Sequence, residues 1–237
     1  MLSAHALPLL FAAVGVAAFV QGTTGVGFAL ILAPVLAIVA PQLVPVCLLA
    51  LMIPLNVYVA WRERRALDWR GAGWITAARF VGTFGGLWIL AVLSAKGLAL
   101  VIGAATVLAS IATLVAPSFE PGPRSFLVAG LVTGVSETAT GIGGPPLALV
   151  YQHRPAPTLR STIAFCFLAG EVVSLALLAL AGRAGTEQFL SALLLAPALG
   201  IGALASRAAH HRVGGRHLRM FVLVFAIVSG AALLVRG

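Results

Sequence analysis

Residues 138–146 read T-A-T-G-I-G-G-P-P in the middle of an otherwise apolar segment, with Glu137 directly before them. A second, weaker interruption, T-T-G-V-G-F, occupies 23–28 inside the first apolar run. Glycine destabilises a helix interior by about 1 kcal/mol and proline by about 3 kcal/mol. Inside a bilayer the penalty is larger, because freed N–H and C=O groups find no water. Broken backbone at membrane depth is tolerated only where protein buries it or where it lines a cavity. Two such interruptions restrict the chain to a short list of folds and mark where function is expected.

The bilayer is the relevant solvent. The chain is 61% hydrophobic and only 9% charged, against about 25% charged in an average soluble domain. Its net charge of +9 comes largely from a few short loops, the signature of membrane topology rather than of nucleic-acid binding. Cys47 and Cys166 fall in apolar runs and read as small apolar fillers. Met1 to Leu10 lacks the basic region of a signal peptide, so the first apolar segment is expected to be retained.

A bilayer core of about 30 Å takes about 20 helical residues. Residues 7–40 are too long for one simple span and are broken near the middle by Gly22, Gly25 and Gly27. Apolar spans are expected at 42–61, 71–93 and 97–116. Residues 125–151 form the second broken segment, followed by spans at 157–181, 186–206 and 217–235. The pattern is a broken segment plus three spans, stated twice: an N-terminal repeat over 1–120 and a C-terminal repeat over 121–237. Thr24, Gly25 and Gly27 match Thr140, Gly141 and Gly143 as T-G-x-G. Gly82, Gly85 and Gly86 correspond loosely to Pro197, Gly200 and Gly202, small residues of the kind that let helix backbones approach.

Charge placement tests this layout. The loop 62–70 carries Arg62, Arg64, Arg65 and Arg70, and the loop 207–219 carries Arg207, Arg212, Arg216 and Arg219 with His210, His211 and His217. The positive-inside rule assigns both loops to the cytoplasm. If every segment between them crossed once, they would fall on opposite sides. The conflict disappears if 125–151 enters and returns as a hairpin, which also leaves Arg154 and Arg160 on the cytoplasmic side. By the same logic 7–40 is a hairpin entering from the opposite face. The expected fold is an all-α polytopic membrane protein of two inverted repeats, each a re-entrant hairpin plus three transmembrane helices, a common build for secondary transporters. The plainer alternative is that both segments span and one basic loop breaks the rule.

Two hairpin tips entering from opposite faces would meet near the midplane. A helix arm starting after each tip presents unpaired N–H groups and a partial positive charge, which favour an anion. Gly25, Gly27, Gly141, Gly143 and Gly144 would bring bare backbone close to a ligand, and Thr23, Thr24, Thr138 and Thr140 would add hydroxyl donors. Arg79 lies about eight residues into its segment, roughly 12 Å deep at 1.5 Å per residue. It either snorkels to the surface, or attracts the anion, or pairs with a carboxylate. Glu137 and Glu171 are the acidic residues placed inside the apolar segments. Each is protonated, paired with arginine or facing water, and either is a candidate carrier of a coupling proton. Gln21 and Asn56 read as ties between helices. No H-E-x-x-H helix, G-x-S-x-G elbow or P-loop occurs, so neither catalysis nor a metal or other cofactor is expected.

The stretch F-V-Q-G-T-T-G-V-G-F-A-L-I-L-A-P, Phe19 to Pro34, resembles the N-terminal signature of the TauE/SafE sulfite exporters. The stretch G-V-S-E-T-A-T-G-I-G-G-P-P-L, Gly134 to Leu147, resembles that family's second signature, and Arg160-Ser161-Thr162 follows it. Phe28 stands where a glycine often falls. The family is grouped with the toluene sulfonate uptake permeases. The resemblance implies transport of small sulfur-containing anions such as sulfite, sulfoacetate and other organosulfonates, by a multi-pass protein of the bacterial inner membrane. The partners it implies are the anion and the lipid bilayer, with protons as a possible coupling ion.

Overall fold

A computed structural model of the chain describes residues 6–115, 121–209 and 215–236. His210, His211 and Arg212 lie outside them, and so do the side chains of Arg216, His217 and Arg219. Every regular element among the described residues is helical: α1 (Ala6–Thr24), α2 (Phe28–Val39), α3 (Val46–Arg62), α4 (Trp69–Val92), α5 (Ala95–Val115), α6 (Pro123–Thr140), α7 (Gly144–Tyr151), α8 (Ala156–Leu180), α9 (Thr186–Ala209) and α10 (Gly215–Arg236). Five of these, α1, α4, α5, α8 and α9, are long and apolar enough to cross a membrane. Both interruptions fall where the glycines put them, between α1 and α2 and between α6 and α7. One boundary differs from expectation: α3 starts at Val46 rather than at 42, because Pro41–Leu43 form a 3-10 turn ahead of Pro45.

Small residues decide which helices meet. A side chain at Gly130 would strike the backbone of Ile75, one at Gly134 the backbone of Arg79, and one at Gly86 Val135 and Thr138. α4 and α6 therefore lie backbone against backbone and run in the same direction. α1 and α9 do likewise: Gly15 faces Ala198, Gly202 faces Gly15 and Ala18, and Gly22 faces Ser206. Such close approach maximises dispersion contact where lipid removes the hydrophobic drive for helix pairing.

These directions fix where each hairpin begins and ends. Phe126, at the start of α6, stacks on Tyr151, at the end of α7, with centroids 5.7 Å apart. Tyr151 Oη donates to Asp68 Oδ2 at 2.9 Å, and Asp68 caps the start of α4. The eight residues of α7 span about 12 Å, so this hairpin returns to the face it left. For the first hairpin, Gln188 Nε2 near the start of α9 donates to Gln42 O just after α2 at 3.2 Å. Since α1 runs alongside α9, its start shares that face. α8 begins at the other end, where Thr162 Oγ1 accepts from Asp68 N at 3.0 Å. Its 25 residues cover about 37 Å, so the two hairpins insert from opposite ends of the bundle.

Exchanging the first five helices for the last five maps the packing onto itself. α4–α6 answers to α1–α9, α4–α8 to α3–α9 and α1–α2 to α6–α7, while α3–α8 and α5–α10 each map onto themselves. The glycine correspondence expected from sequence shifts in register. Gly82 meets the Leu131 carbonyl as Gly202 meets that of Gly15, and Gly86 meets Thr138 as Ser206 meets Gly22. The counterparts are therefore Gly82 with Gly202 and Gly86 with Ser206, and Leu199 stands in the place of Arg79.

Candidate functional site

The two elbows are built alike. Gly25 N donates to Gln21 O at 2.8 Å and Gly141 N to Glu137 O at 2.7 Å, ending α1 and α6. Gly25 (φ 87°) and Gly141 (φ 79°) then take the left-handed conformation that side chains disfavour. Thr24 Oγ1 accepts from Val26 N at 3.3 Å, and Thr140 Oγ1 accepts from Ile142 N at 3.2 Å. The shared T-G-x-G is thus a pinned turn, with threonine fastening the chain two residues on. Its hydroxyl protons are committed. Thr23 donates to Phe19 O at 2.8 Å, Thr24 to Val26 O at 2.5 Å, and Thr140 to Ser136 O at 2.7 Å. Thr138 exchanges a hydrogen bond with Ser174 at 2.8 Å. These hydroxyls hold the elbows in shape, where the sequence suggested donors for a ligand.

The elbows also differ. Ahead of α2, Gly27 (φ 121°) opens the first turn, and Gln21 Oε1 accepts from Phe28 N at 3.2 Å. In the first turn of α7, Pro145 and Pro146 have no N–H to offer. Only α2 keeps the full amide-bearing first turn expected at both tips.

The tips touch. A Cβ on Gly144 would lie 3.7 Å from Val26 Cβ and 3.9 Å from Phe167 Cζ. Gly143 rests against Glu137 and Thr133, whose hydroxyl donates to Gly143 O at 3.1 Å. Gly141 packs against Leu48. The space expected between the elbows is filled by Val26 and Phe167. The open volume lies beside the first elbow instead, a cavity of about 340 Å³ lined by Thr23, Thr24, Gly27, Gln152 and Arg160 with apolar residues of α7, α8 and α10. Arg160, read from sequence as a topology marker and as part of the stretch that follows the second signature, donates to Glu63 from Nε at 3.0 Å and from Nη2 at 2.7 Å. Its stem packs over Gly25. Arg62 joins this cluster through Glu63 Oε1 and Gly22 O, both at 3.2 Å. The cavity therefore opens at the end of the bundle that carries the 62–70 loop.

On the far side of Val26 and Gly144 lies a buried polar chain. Gln21 Nε2 donates to Asn56 Oδ1 at 3.4 Å, and Asn56 Nδ2 donates to Glu171 Oε1 at 2.7 Å. Glu137 forms an ion pair with Arg79 Nη2. Arg79 Nη1 donates to Cys166 O at 2.7 Å, and the guanidinium lies over the Phe167 ring at 5.4 Å. Arg79 is 1% exposed, while Glu137, Glu171 and Asn56 are fully buried. Arg79 therefore pairs with a carboxylate, rather than snorkelling as one sequence reading allowed. Matching the two elbows places Gln21 in the position of Glu137. Nothing in the sequence spacing could join these residues, since they come from α1, α3, α4, α6 and α8.

The family model described as "Sulfite exporter TauE/SafE" matches residues 10–233 of the chain. This chain belongs to the sulfite exporter TauE/SafE family. It is a multi-pass membrane protein of a transporter family whose cargo is sulfur anions such as sulfite, as the signatures around Gly25 and Gly141 implied. No curated protein and no solved structure matches it.

Proposed function

We propose that this chain is a secondary transporter for a small sulfur oxyanion or organosulfonate in a bacterial inner membrane. It works as two inverted halves, 1–120 and 121–237, that rock to expose the region of their meeting elbows to either side. The observation that carries this reading is the close approach of Val26 to Gly144. Two hairpins from opposite ends of the bundle near each other there, and an open cavity lies beside the first elbow. A closed layer beside an open vestibule is what alternating access requires. The anion is received at Thr23, Thr24, Gly25 and Gly27, beside the cavity and the start of α2. It then passes to the second elbow at Thr138, Thr140, Gly141, Gly143 and Gly144, and to Arg79. Glu137 and Glu171 are the carboxylates available to a coupling proton. The chain has no part in catalysis on this reading.

Purified protein in liposomes preloaded with a sulfonate should take up labelled sulfite or sulfonate by counterflow, saturably. Flux that rises linearly with concentration and follows voltage alone would identify a passive anion channel. Absence of flux for every sulfur anion, with flux of an unrelated anion, would remove the substrate class.

A further inference from the structure

Three polar atoms in the buried chain have no hydrogen-bond partner among the described residues: Arg79 Nε, Glu137 Oε1 and Glu171 Oε2. All three belong to side chains at most 1% exposed. Buried polar groups are ordinarily satisfied, and exceptions call for a cause. The chemistry of the three is complementary to one kind of guest. A guanidinium N–H seeks an acceptor, and a carboxyl oxygen that takes a proton becomes a donor to one. An oxyanion supplies several acceptors at once.

Charge narrows the choice further. Arg79 cannot lose its proton, and an unpaired buried guanidinium is strongly disfavoured. It must hold an anionic partner at every stage of a cycle. In the structure that partner is Glu137. The groups that face Glu137 are Arg79 from α4, Glu171 and the Cys166 thiol from α8, and bare backbone from Gly143; α3 contributes Asn56, which reaches Glu171. One cation thus stands among two carboxylates. A substrate anion entering beside an ionised Glu137 would add uncompensated negative charge in a low-dielectric interior.

Resting on the transport reading above, we propose that Glu137 is a stand-in for the substrate: a sulfonate or sulfite oxyanion replaces it on Arg79 only as Glu137 takes up a proton, so that one proton accompanies each anion. The step balances. The carboxylate gains H⁺, its ion pair with Arg79 opens, and the arriving anion closes a new one, leaving the buried charge unchanged. Access is short, because Gly143 packs against Glu137, while its neighbour Gly144 faces both Val26, which lines the cavity, and Phe167, over which the guanidinium lies. Glu171, hydrogen-bonded to Asn56 and without a cation of its own, keeps its protonation state through the exchange.

The test uses the full chain in detergent and a methylsulfonate probe, which stays a monoanion across the pH range and brings no proton itself. Calorimetric titrations in two buffers of different ionisation enthalpy give the protons taken up per anion bound. The wild type is expected to take up about one, and its affinity to fall as pH rises, by about tenfold per pH unit where Glu137 is ionised in the free protein. Glu137→Gln is expected to bind the probe with no proton uptake and no pH dependence, and Glu171→Gln to behave as the wild type. Proton uptake retained in Glu137→Gln, or lost in Glu171→Gln alone, overturns the proposal. If Glu137→Gln does not survive purification, the double variant Arg79→Gln/Glu137→Gln leaves no lone charge and carries the test. It is expected to fold and not to bind, and binding at wild-type affinity overturns the exchange. Probe binding by the wild type without proton uptake defeats this inference and leaves transport standing. No binding of any sulfur anion defeats both.

Discussion

Asn56 and Glu171 meet where α3 packs on α8, Nδ2 to Oε1 at 2.7 Å, each from the middle of a helix and each fully buried. Asn56 is the side chain that donates to this carboxylate, and it is itself held by Gln21. Hydrogen bonds to charged groups contribute about 1.5–3 kcal/mol, and stranding the remaining partner adds its desolvation. Asn56→Leu is therefore expected to destabilise the protein by about 2 kcal/mol or more, read as a lower midpoint in a detergent thermal melt. Combining it with Glu171→Leu should recover part of the loss, because the carboxyl is then no longer stranded and only Gln21 Nε2 lacks its partner. A double variant less stable than Asn56→Leu would contradict this account of the pair.

The backbone contacts at Gly82 and Gly202 are equivalent, so their variants should fail alike. Adding even a methyl group drives Cβ into the carbonyl of Leu131 or of Gly15. Overpacking of this kind costs about 1–3 kcal/mol. Gly200, in contrast, has nothing within reach of a new Cβ. Gly82→Ala and Gly202→Ala should both lower the thermal midpoint, while Gly200→Ala leaves it in place.

Gly170 lies directly beneath the Arg79 guanidinium, where a side chain would overlap Nε and Cζ. Gly170→Ala should push the guanidinium off Cys166 O and Glu137 and suppress counterflow at least tenfold. The thermal midpoint should fall as well, because the buried ion pair is disturbed, so flux is compared at equal amounts of inserted protein. Normal counterflow in this variant would show that the position of Arg79 does not limit transport.

The elbow glycines divide by what surrounds them. Gly144 has ordinary space for a methyl group opposite Val26, so Gly144→Ala should fold normally, within about 0.5 kcal/mol of wild type. Gly141 combines a left-handed φ with close packing against Leu48. Gly141→Ala should lose about 1–2 kcal/mol from the backbone alone, and Gly141→Leu should not accumulate in the membrane. Quantitative blotting of membrane fractions separates the two.

Lys96 is the only lysine in the sequence and is exposed at the start of α5, at the end of the bundle opposite the 62–70 loop. A membrane-impermeant amine reagent should modify it in intact spheroplasts. Protection of Lys96 there, with labelling only in inverted vesicles, would reverse the orientation.

Helix positions were legible in the sequence because in lipid a helix is nearly the only way to satisfy a long apolar backbone, and the breaks announce themselves through glycine and proline. The parity of basic loops carried the hairpin reading, and the stacking of Phe126 on Tyr151 supplies its geometry. The roles of the elbow residues were less legible. Thr24 and Thr140 look like donors in a list of letters, yet each already gives its hydroxyl proton to a nearby carbonyl, Val26 O or Ser136 O. The partner of Arg79 was open because α4 offers no carboxylate of its own; packing against α6 brings Glu137 to it. Register between halves was misread for a similar reason. Gly200 and Gly202 look alike in sequence, and only the second faces a neighbouring helix.

Pro145 and Pro146 give the molecule a polarity that its internal likeness conceals. The first turn of α2 keeps its main-chain N–H groups, that of Phe28 held by Gln21 Oε1, whereas α7 carries pyrrolidine rings in their stead. On the transport reading proposed above, half-saturation measured from the two faces should therefore differ.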